Sequence, residues 1–323
     1  MKEQAKIPVI LVTGFLGSGK TTFINELIKA HPHVKLALVE NEFGMASIDA
    51  ELIVGMRSEN IFDLSNGCIC CSISNEFSLT LLDLAEKAGE IDYLLIETTG
   101  VADLSNIIRP FYGDEDLKKR FHLLGSICLV DALNVDEQLN GHEQHMQVIL
   151  SDLLLINKTA GLDERRLAEI ERRLTAFNSS ATIFRTNFSQ LEGFHLEDFA
   201  EKNQVRMEQK LMAPRLFPVI ESKKFTTFTH QFPGELDLDR FQYWFNYFVA
   251  INQLEIYRVK GVLFPKNSPD KVIVQAVGGA VSYTSGSLIL PSEQHLNTLV
   301  FIGKDIDHTR IAVELDRYLN QAD

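Results

Sequence analysis

Cysteine is scarce in this chain of 323 residues: there are four, too few and too unevenly spaced for a disulfide framework of this size. Long apolar stretches are missing from the N-terminal region. In "MKEQAKIPVILVTGF" the apolar run has six residues, short of a signal-peptide core and far short of a membrane span. The expected compartment is therefore the cytoplasm, where thiols stay reduced, and no membrane partner is expected. Positive charge is in deficit, with 31 Lys and Arg against 44 Asp and Glu and a net charge of −13. The acids are scattered rather than gathered in a tail, and such a surface argues against non-specific nucleic-acid binding. No internal repeat or low-complexity segment is present.

What remains is a hydrophobic content of 45 %, enough to fill the core of one large or two ordinary domains. The first two hundred residues alternate between short apolar runs and amphipathic stretches. Ile7–Val12, Lys35–Glu40, Ile91–Glu97, Gly125–Ala132 and Asp152–Asn157 read as buried parallel strands, and Phe77–Gly89 has helical period. The pattern predicts an α/β fold: a doubly wound, mostly parallel-sheet P-loop NTPase domain over residues 1–208, with ligands at the carboxyl ends of its strands. Two prolines in Gln209–Ser222 mark a linker at 209–221, followed by a smaller α+β domain over 222–323. That domain should hold strand-like runs, an aromatic-rich helix ("LDRFQYWFNYFVAIN"), three more strands and a terminal helix from about Asp307. Its aromatic stripe reads as core.

Directly after the first strand comes "GFLGSGKTT", Gly14 to Thr22, which satisfies G-x-x-x-x-G-K-S/T between a strand and a helix. Gly14, Gly17 and Gly19 leave room for backbone N–H groups to wrap phosphate oxygens, with Ser18 and Thr22 completing the stretch. The next helix adds its N-terminal dipole, Lys20 adds a cation, and the Thr21 hydroxyl is placed to ligate Mg²⁺. A nucleoside triphosphate site follows. In "LLIETTG" Glu97 ends an apolar run, the place of the acid that organises the metal, and the Gly100 amide can meet a γ-phosphate. Val101 follows where a water-orienting glutamine would serve hydrolysis, so turnover should lie at or below the roughly 10⁻²–10⁻⁴ s⁻¹ of unassisted switch GTPases. Lys20 and Glu97 are the residues expected to carry that reaction. "LLLINKTAG" ends a strand with Asn157 and Lys158, the opening of the guanine-reading N-K-x-D motif, but Ala160 stands where the motif has Asp. Asn157 and Lys158 can still brace the loop and cover the base.

Three of the four cysteines fall in "SNGCICCS", between the P-loop helix and Glu97, where nucleotide switches sit. Cys68, Cys70 and Cys71 could offer thiolates to Zn²⁺ or Cu(I), leaving one tetrahedral position open for a recipient. The blander reading is a cluster of small buried hydrophobes, and the position among the switches favours metal over it. Cys128, inside a strand, reads as core. His142 and His145, at i and i+3, read as a solvated helix face rather than an auxiliary metal site.

The segments "TGFLGSGKTT", "ENEFG", "NGCICCS", "ETTGVADLSNII" and "LVDA", in that order, resemble the CobW-like family of P-loop GTPases, its YjiA-like members in particular. "YRVKGVLF" and "NTLVFIG" look like its C-terminal domain. That family acts in metal trafficking, as zinc chaperones or metallocofactor insertion factors. The resemblance implies Mg·GTP at the P-loop, metal at Cys68, Cys70 and Cys71, Glu40 and Glu42 as further contacts to metal or water, and handover coupled to hydrolysis. The chain departs from the pattern at Ala160, at Met45 where an acid is frequent after "ENEFG", and in lacking a histidine-rich loop.

The expected function is thus a nucleotide-gated metal chaperone, with zinc as cargo and slow GTP hydrolysis, serving a metal-requiring apoprotein or cofactor-assembly enzyme. A homodimer is left open. A small-molecule P-loop kinase is the main rival, although Arg109 and Arg120 show no lid-like clustering; a non-hydrolysing nucleotide-binding scaffold is the third reading.

Overall fold

A strand whose every side chain is apolar must be covered on both faces and both edges, and Val9–Val12 is wholly buried. In the computed structural model, which describes residues 5–41, 61–63, 73–87, 91–98, 103–189, 196–212, 220–221 and 225–320, that run lies at the centre of a parallel sheet. Along the chain come β1 (Ile7–Gly14), α1 (Lys20–Ala30), β2 (Leu36–Asn41), β3 (Ile61–Asp63), α2 (Ile73–Lys87), β4 (Tyr93–Thr98), α3 (Leu104–Gly113), α4 (Glu115–Arg120) and β5 (Phe121–Asp131). There follow α5 (Val135–Gln138), α6 (His142–Ile149), β6 (Leu153–Asn157), α7 (Glu164–Phe177), β7 (Thr182–Arg185) and α8 (Leu196–Met212). The strands order as β3-β2-β4-β1-β5-β6-β7, all parallel. Ile10 and Val12 pack with Phe23, Ile24 and Leu27 of α1, while α6 packs on β1 and α3 on β5. This is the doubly wound α/β sheet expected.

The later part holds β8 (Ile220–Glu221), β9 (Thr226–Pro233), α9 (Leu238–Ile251), β10 (Ile256–Leu263), β11 (Asp270–Val277), β12 (Ala280–Leu288), β13 (Leu296–Gly303) and α10 (His308–Asn320). Its antiparallel sheet runs β12-β11-β10-β13-β9-β8. Four strands follow the aromatic helix, not three. β12, "AVSYTSGSL", is rich in Ser and Gly and half exposed, so it lacks the apolar run that marks a buried strand. Phe241, Phe245 and Phe248 of α9 and Ile311 and Leu315 of α10 share a core with Phe228, Val259 and Phe301, whose Phe228 and Phe301 rings stack at 4.8 Å. The core reading of α9 holds for its phenylalanines; Tyr243 and Tyr247 are exposed.

The chain divides into two units, Met1–Thr175 with Ala181–Gln204 and Ala176–Ser180 with Val205–Asp323. Of the stretch expected as linker, residues up to Met212 belong to α8, Ile220 and Glu221 form β8, and 213–219 lie outside the described residues. Among the described residues no helix is long and apolar enough to cross a membrane.

Candidate nucleotide site

β1 delivers the chain to the sheet's carboxyl edge, and the loop from Gly14 to Gly19 turns it into α1. Gly14 has φ +143°, and a Cβ there would lie 2.4 Å from the Leu129 carbonyl oxygen of β5. Gly19, at φ +102°, caps α1, and a Cβ there would lie 2.6 Å from Asn157 Nδ2. Both positions therefore exclude side chains, by backbone conformation and by close approach. Ser18 N–H donates to the Phe15 carbonyl at 3.1 Å and Phe23 N–H to that of Gly19 at 2.9 Å, closing the loop into the helix. No acidic residue occupies the first turn of α1, so its N–H groups and dipole are left to an outside anion. The Lys20 ammonium donates to the carbonyls of Gly14 at 3.2 Å and Phe15 at 3.4 Å, folded over its own loop. Ser18 is fully buried, and its Oγ has no hydrogen-bond partner among the described residues. A cradle of glycines and free helix N–H groups, with an ammonium at its mouth and an orphaned hydroxyl inside, fits a polyphosphate. Thr21 is half-buried and Thr22 exposed, at the start of α1.

The neighbouring strands bring the remaining residues to this edge. Glu97, buried near the end of β4, is in register with Val12 of β1 and Glu40 of β2, and Glu40 is in register with Asp63 of β3. Thr98 Oγ donates to Thr13 Oγ at 2.8 Å, locking β4 to the P-loop strand. Glu42, Cys68, Cys70, Cys71 and Gly100 lie outside the described residues, as does Val101. Among the described residues no three His, Cys, Asp or Glu side chains gather as a metal site.

Asn157, at the end of β6, braces the P-loop directly. Its Nδ2 donates to the Ser18 carbonyl at 2.9 Å and to Ser189 Oγ at 3.1 Å, and its Oδ1 accepts the Ser189 N–H at 3.1 Å. Ser189 Oγ in turn reaches the Gly19 carbonyl at 3.4 Å. Phe188 and Ser189 hold positive φ, 52° and 56°, a strained conformation for residues with side chains that these bonds fix. Lys158, also at positive φ (60°), sends its Nζ to Asp131 Oδ2 at 2.7 Å. Burial pushes the Asp131 carboxyl upward, but hydrogen bonds from Lys158, Asn134 and the Leu133 N–H outweigh it and hold the group below its ordinary range. The ammonium expected over a base is thus engaged by a buried carboxylate. Ala160 is exposed and offers no acceptor side chain. Asp163 accepts the Arg166 N–H at 2.7 Å, at the head of α7, and so does not replace the missing Asp.

Sequence reasoning did not single out Asp131, Ser189 or the Thr13–Thr98 pair. For Asp131 a signal existed, since it ends a buried strand as Glu97 does; for Ser189 none did, because its partner is 32 residues away. Cys128 is core as expected, and burial pushes its thiol up to about 12. The histidine pair is corrected: His142 is exposed but His145 is buried inside α6, so they do not form one solvated face. Three residues turn a helix through about 300°, enough to carry His145 over the edge of the exposed stripe.

Comparison with known proteins agrees with this geometry. A family model described as "CobW/HypB/UreG, nucleotide-binding domain" matches residues 8–185, and one described as "Cobalamin synthesis protein cobW C-terminal domain" matches 225–319. The zinc chaperone YjiA of Escherichia coli is 31 % identical over 313 residues, 94 % of this chain and 96 % of that protein. The zinc-regulated GTPase metalloprotein activator 1 of Saccharomyces cerevisiae is 29 % identical over 234 residues, 65 % of this chain and 54 % of that protein. The crystal structure of Zn(II)-bound YjiA GTPase from E. coli superposes with a TM-score of 0.67 at 24 % identity, covering 98 % of this chain and 99 % of that one, a likeness of fold.

Proposed function

We propose, from the premise that this chain belongs to the CobW/HypB/UreG family of nucleotide-binding proteins, that it is a nucleotide-gated zinc chaperone with slow GTPase activity. The observation that carries the reading is the phosphate cradle, with Lys20 held on the loop's own carbonyls and Asn157 pinning the Ser18 carbonyl. In the loaded state the Lys20 ammonium exchanges those carbonyls for β- and γ-phosphate oxygens, and the N–H groups from Gly14 to Thr22 wrap the same anion. The Thr21 hydroxyl would hold Mg²⁺, which when bound supplies positive charge against the phosphates. Glu97 would help to hold that ion through its waters, and the Gly100 amide would meet the γ-phosphate. Asn157 and Lys158 hold the base loop. With Ala160 in place of a carboxylate, preference for guanine is modest.

Zinc is cargo rather than a resident cofactor. In this reading Cys68, Cys70 and Cys71 supply soft thiolate ligands and Glu40 and Glu42 oxygen donors. Both relatives named above are described by zinc, and one as a chaperone, which supports this assignment. The recipient is a metal-requiring protein. Nucleic acid is no partner for a chain of net charge −13, and a homodimer is compatible with the activity. The work is placed in the cytoplasm, where the three thiols stay reduced. The first unit carries nucleotide and metal, and the second, which takes up the chain from Val205, forms the C-terminal domain, a two-part division supported by the two family matches.

The test is zinc titration with GTP, GDP or no nucleotide, alongside phosphate release with and without zinc and a screen for phosphorylated acceptors. Zinc affinity should differ about 5–150-fold between the GTP and GDP forms, because gating requires differential binding. Equal affinities would leave a static metal protein, and a phosphorylated acceptor would make the chain a kinase.

A further inference from the structure

A helix that is apolar all round is normally buried all round. From Phe241 to Leu254, through α9 and the turn after it, no residue carries a charge, although charged residues make up 23 % of the chain. One face of α9 is accounted for, since Phe241, Phe245, Phe248 and Val249 fill the core of the second unit. The opposite face is open. Tyr243 is 85 % exposed, Tyr247 66 %, Ile251 59 % and Leu254 87 %, with exposed Asn246 and Ala250 between them. The helical positions 243, 246, 247, 250 and 251 follow the 3–4 spacing of a single stripe, and Leu254 extends it.

We infer that this stripe is the contact between two copies of the chain, packed through antiparallel α9 helices about a twofold axis. The pattern is self-complementary. With the axis between Tyr247 and Ala250, Tyr243 of each copy meets Leu254 of the other, and Ala250 leaves room at the crossing for the Tyr247 ring. An isologous contact needs one patch that matches itself, and this spacing provides it. The area is sufficient but small. Taking about 200 Å² for a tyrosine and about 100 Å² of apolar surface for Leu or Ile, the four side chains offer roughly 450 Å² per copy. With Asn246 and Ala250 covered, the pair buries about 1,000 Å², the lower bound for a specific interface, which makes the dimer reversible. Charge selects the place: each copy carries −13, so copies repel wherever acids face each other, and α9 presents none from Phe241 onward.

This reading concerns the second unit alone and requires neither nucleotide nor metal, so its test is run without them. Sedimentation of the full chain, in chelator and reductant so that Cys68, Cys70 and Cys71 cannot bridge copies, should show mass rising from one copy to two across about two decades of concentration into the tens of micromolar. Tyr247→Glu, which would bury an unpaired carboxylate on each side, should weaken the association about 100-fold, and Tyr243→Lys should act the same way. Both residues are exposed, and Trp244 emission with circular dichroism verifies that the variants fold. A wild-type chain that stays single throughout, or folded variants that pair as well as wild type, would overturn the inference and free the stripe for the metal-requiring target.

Discussion

Asn157 offers the sharpest test of how the site is held together. Replacing it with alanine strips the buried Ser18 carbonyl of its 2.9 Å donor and the buried Ser189 N–H of its 3.1 Å acceptor. Leaving a buried polar group unsatisfied costs about 1–3 kcal/mol, so the two together should remove roughly 2–6 kcal/mol. For a domain of this size each 1 kcal/mol lowers the midpoint by about 2–4 °C, and a shift of roughly 4–24 °C follows. The chain carries an internal control, because its single tryptophan, Trp244, lies in the second unit. Far-UV circular dichroism should show the first unit melting early while the Trp244 transition keeps its midpoint. GTP affinity should fall in parallel, as the loop loses the brace that fixes its carbonyls. Asn157→Asp adds a discriminating arm: it keeps the acceptor for Ser189 but sets an anionic oxygen against the Ser18 carbonyl. It should destabilise at least as much as alanine. Unchanged melting and unchanged nucleotide affinity in both variants would show that the brace is incidental.

Lys20→Ala should abolish nucleotide binding and turnover together, measured by calorimetry and phosphate release, whereas Glu97→Gln should bind GTP yet turn it over more slowly; native turnover in the Glu97 variant would make that acid structural. Ala160→Asp should restore a carboxylate to the base loop and widen the preference for GTP over ATP in competition binding, by about two orders of magnitude if it accepts two hydrogen bonds from guanine. A wild-type preference for ATP would reverse the nucleotide assignment. Changing Cys68, Cys70 and Cys71 together to serine should abolish tight zinc binding and the proton release that accompanies it, with nucleotide affinity unaltered. Undiminished zinc affinity would move the cargo site elsewhere.

Features encoded by neighbours in sequence were legible before the structure, and those encoded by register were not. The P-loop announces itself because strand, glycines, lysine and helix are contiguous, and Glu97 because it closes an apolar run. Cys128 could be placed in the core because its strand has no polar alternation. The engagement of Lys158 by Asp131 depends on β5 and β6 lying side by side, which brings residues 131 and 157 into register. The role of Ser189 depends on a strained turn beyond the last strand, for which its composition gives no sign. His145 misled because i and i+3 spacing puts two residues near one another without saying which one sits at the edge of the buried face. In α9 the aromatic count pointed to core, and only accessibility separates the phenylalanines that fill it from the tyrosines that do not.

Among the described strands the earliest in sequence, β1, is the central one of its sheet. β1 finds its partners only at β4 and β5, and the Asn157 brace on its loop arrives after both. During synthesis at about 5–20 residues per second, Gly14 therefore waits on the order of 6–25 s before Asp131 has even been added. Until β4 has been made neither edge of Ile7–Val12 is claimed, and until β5 has been made one of them stays open. The interval before the sheet is complete is when this protein most depends on whatever shields nascent strands from one another.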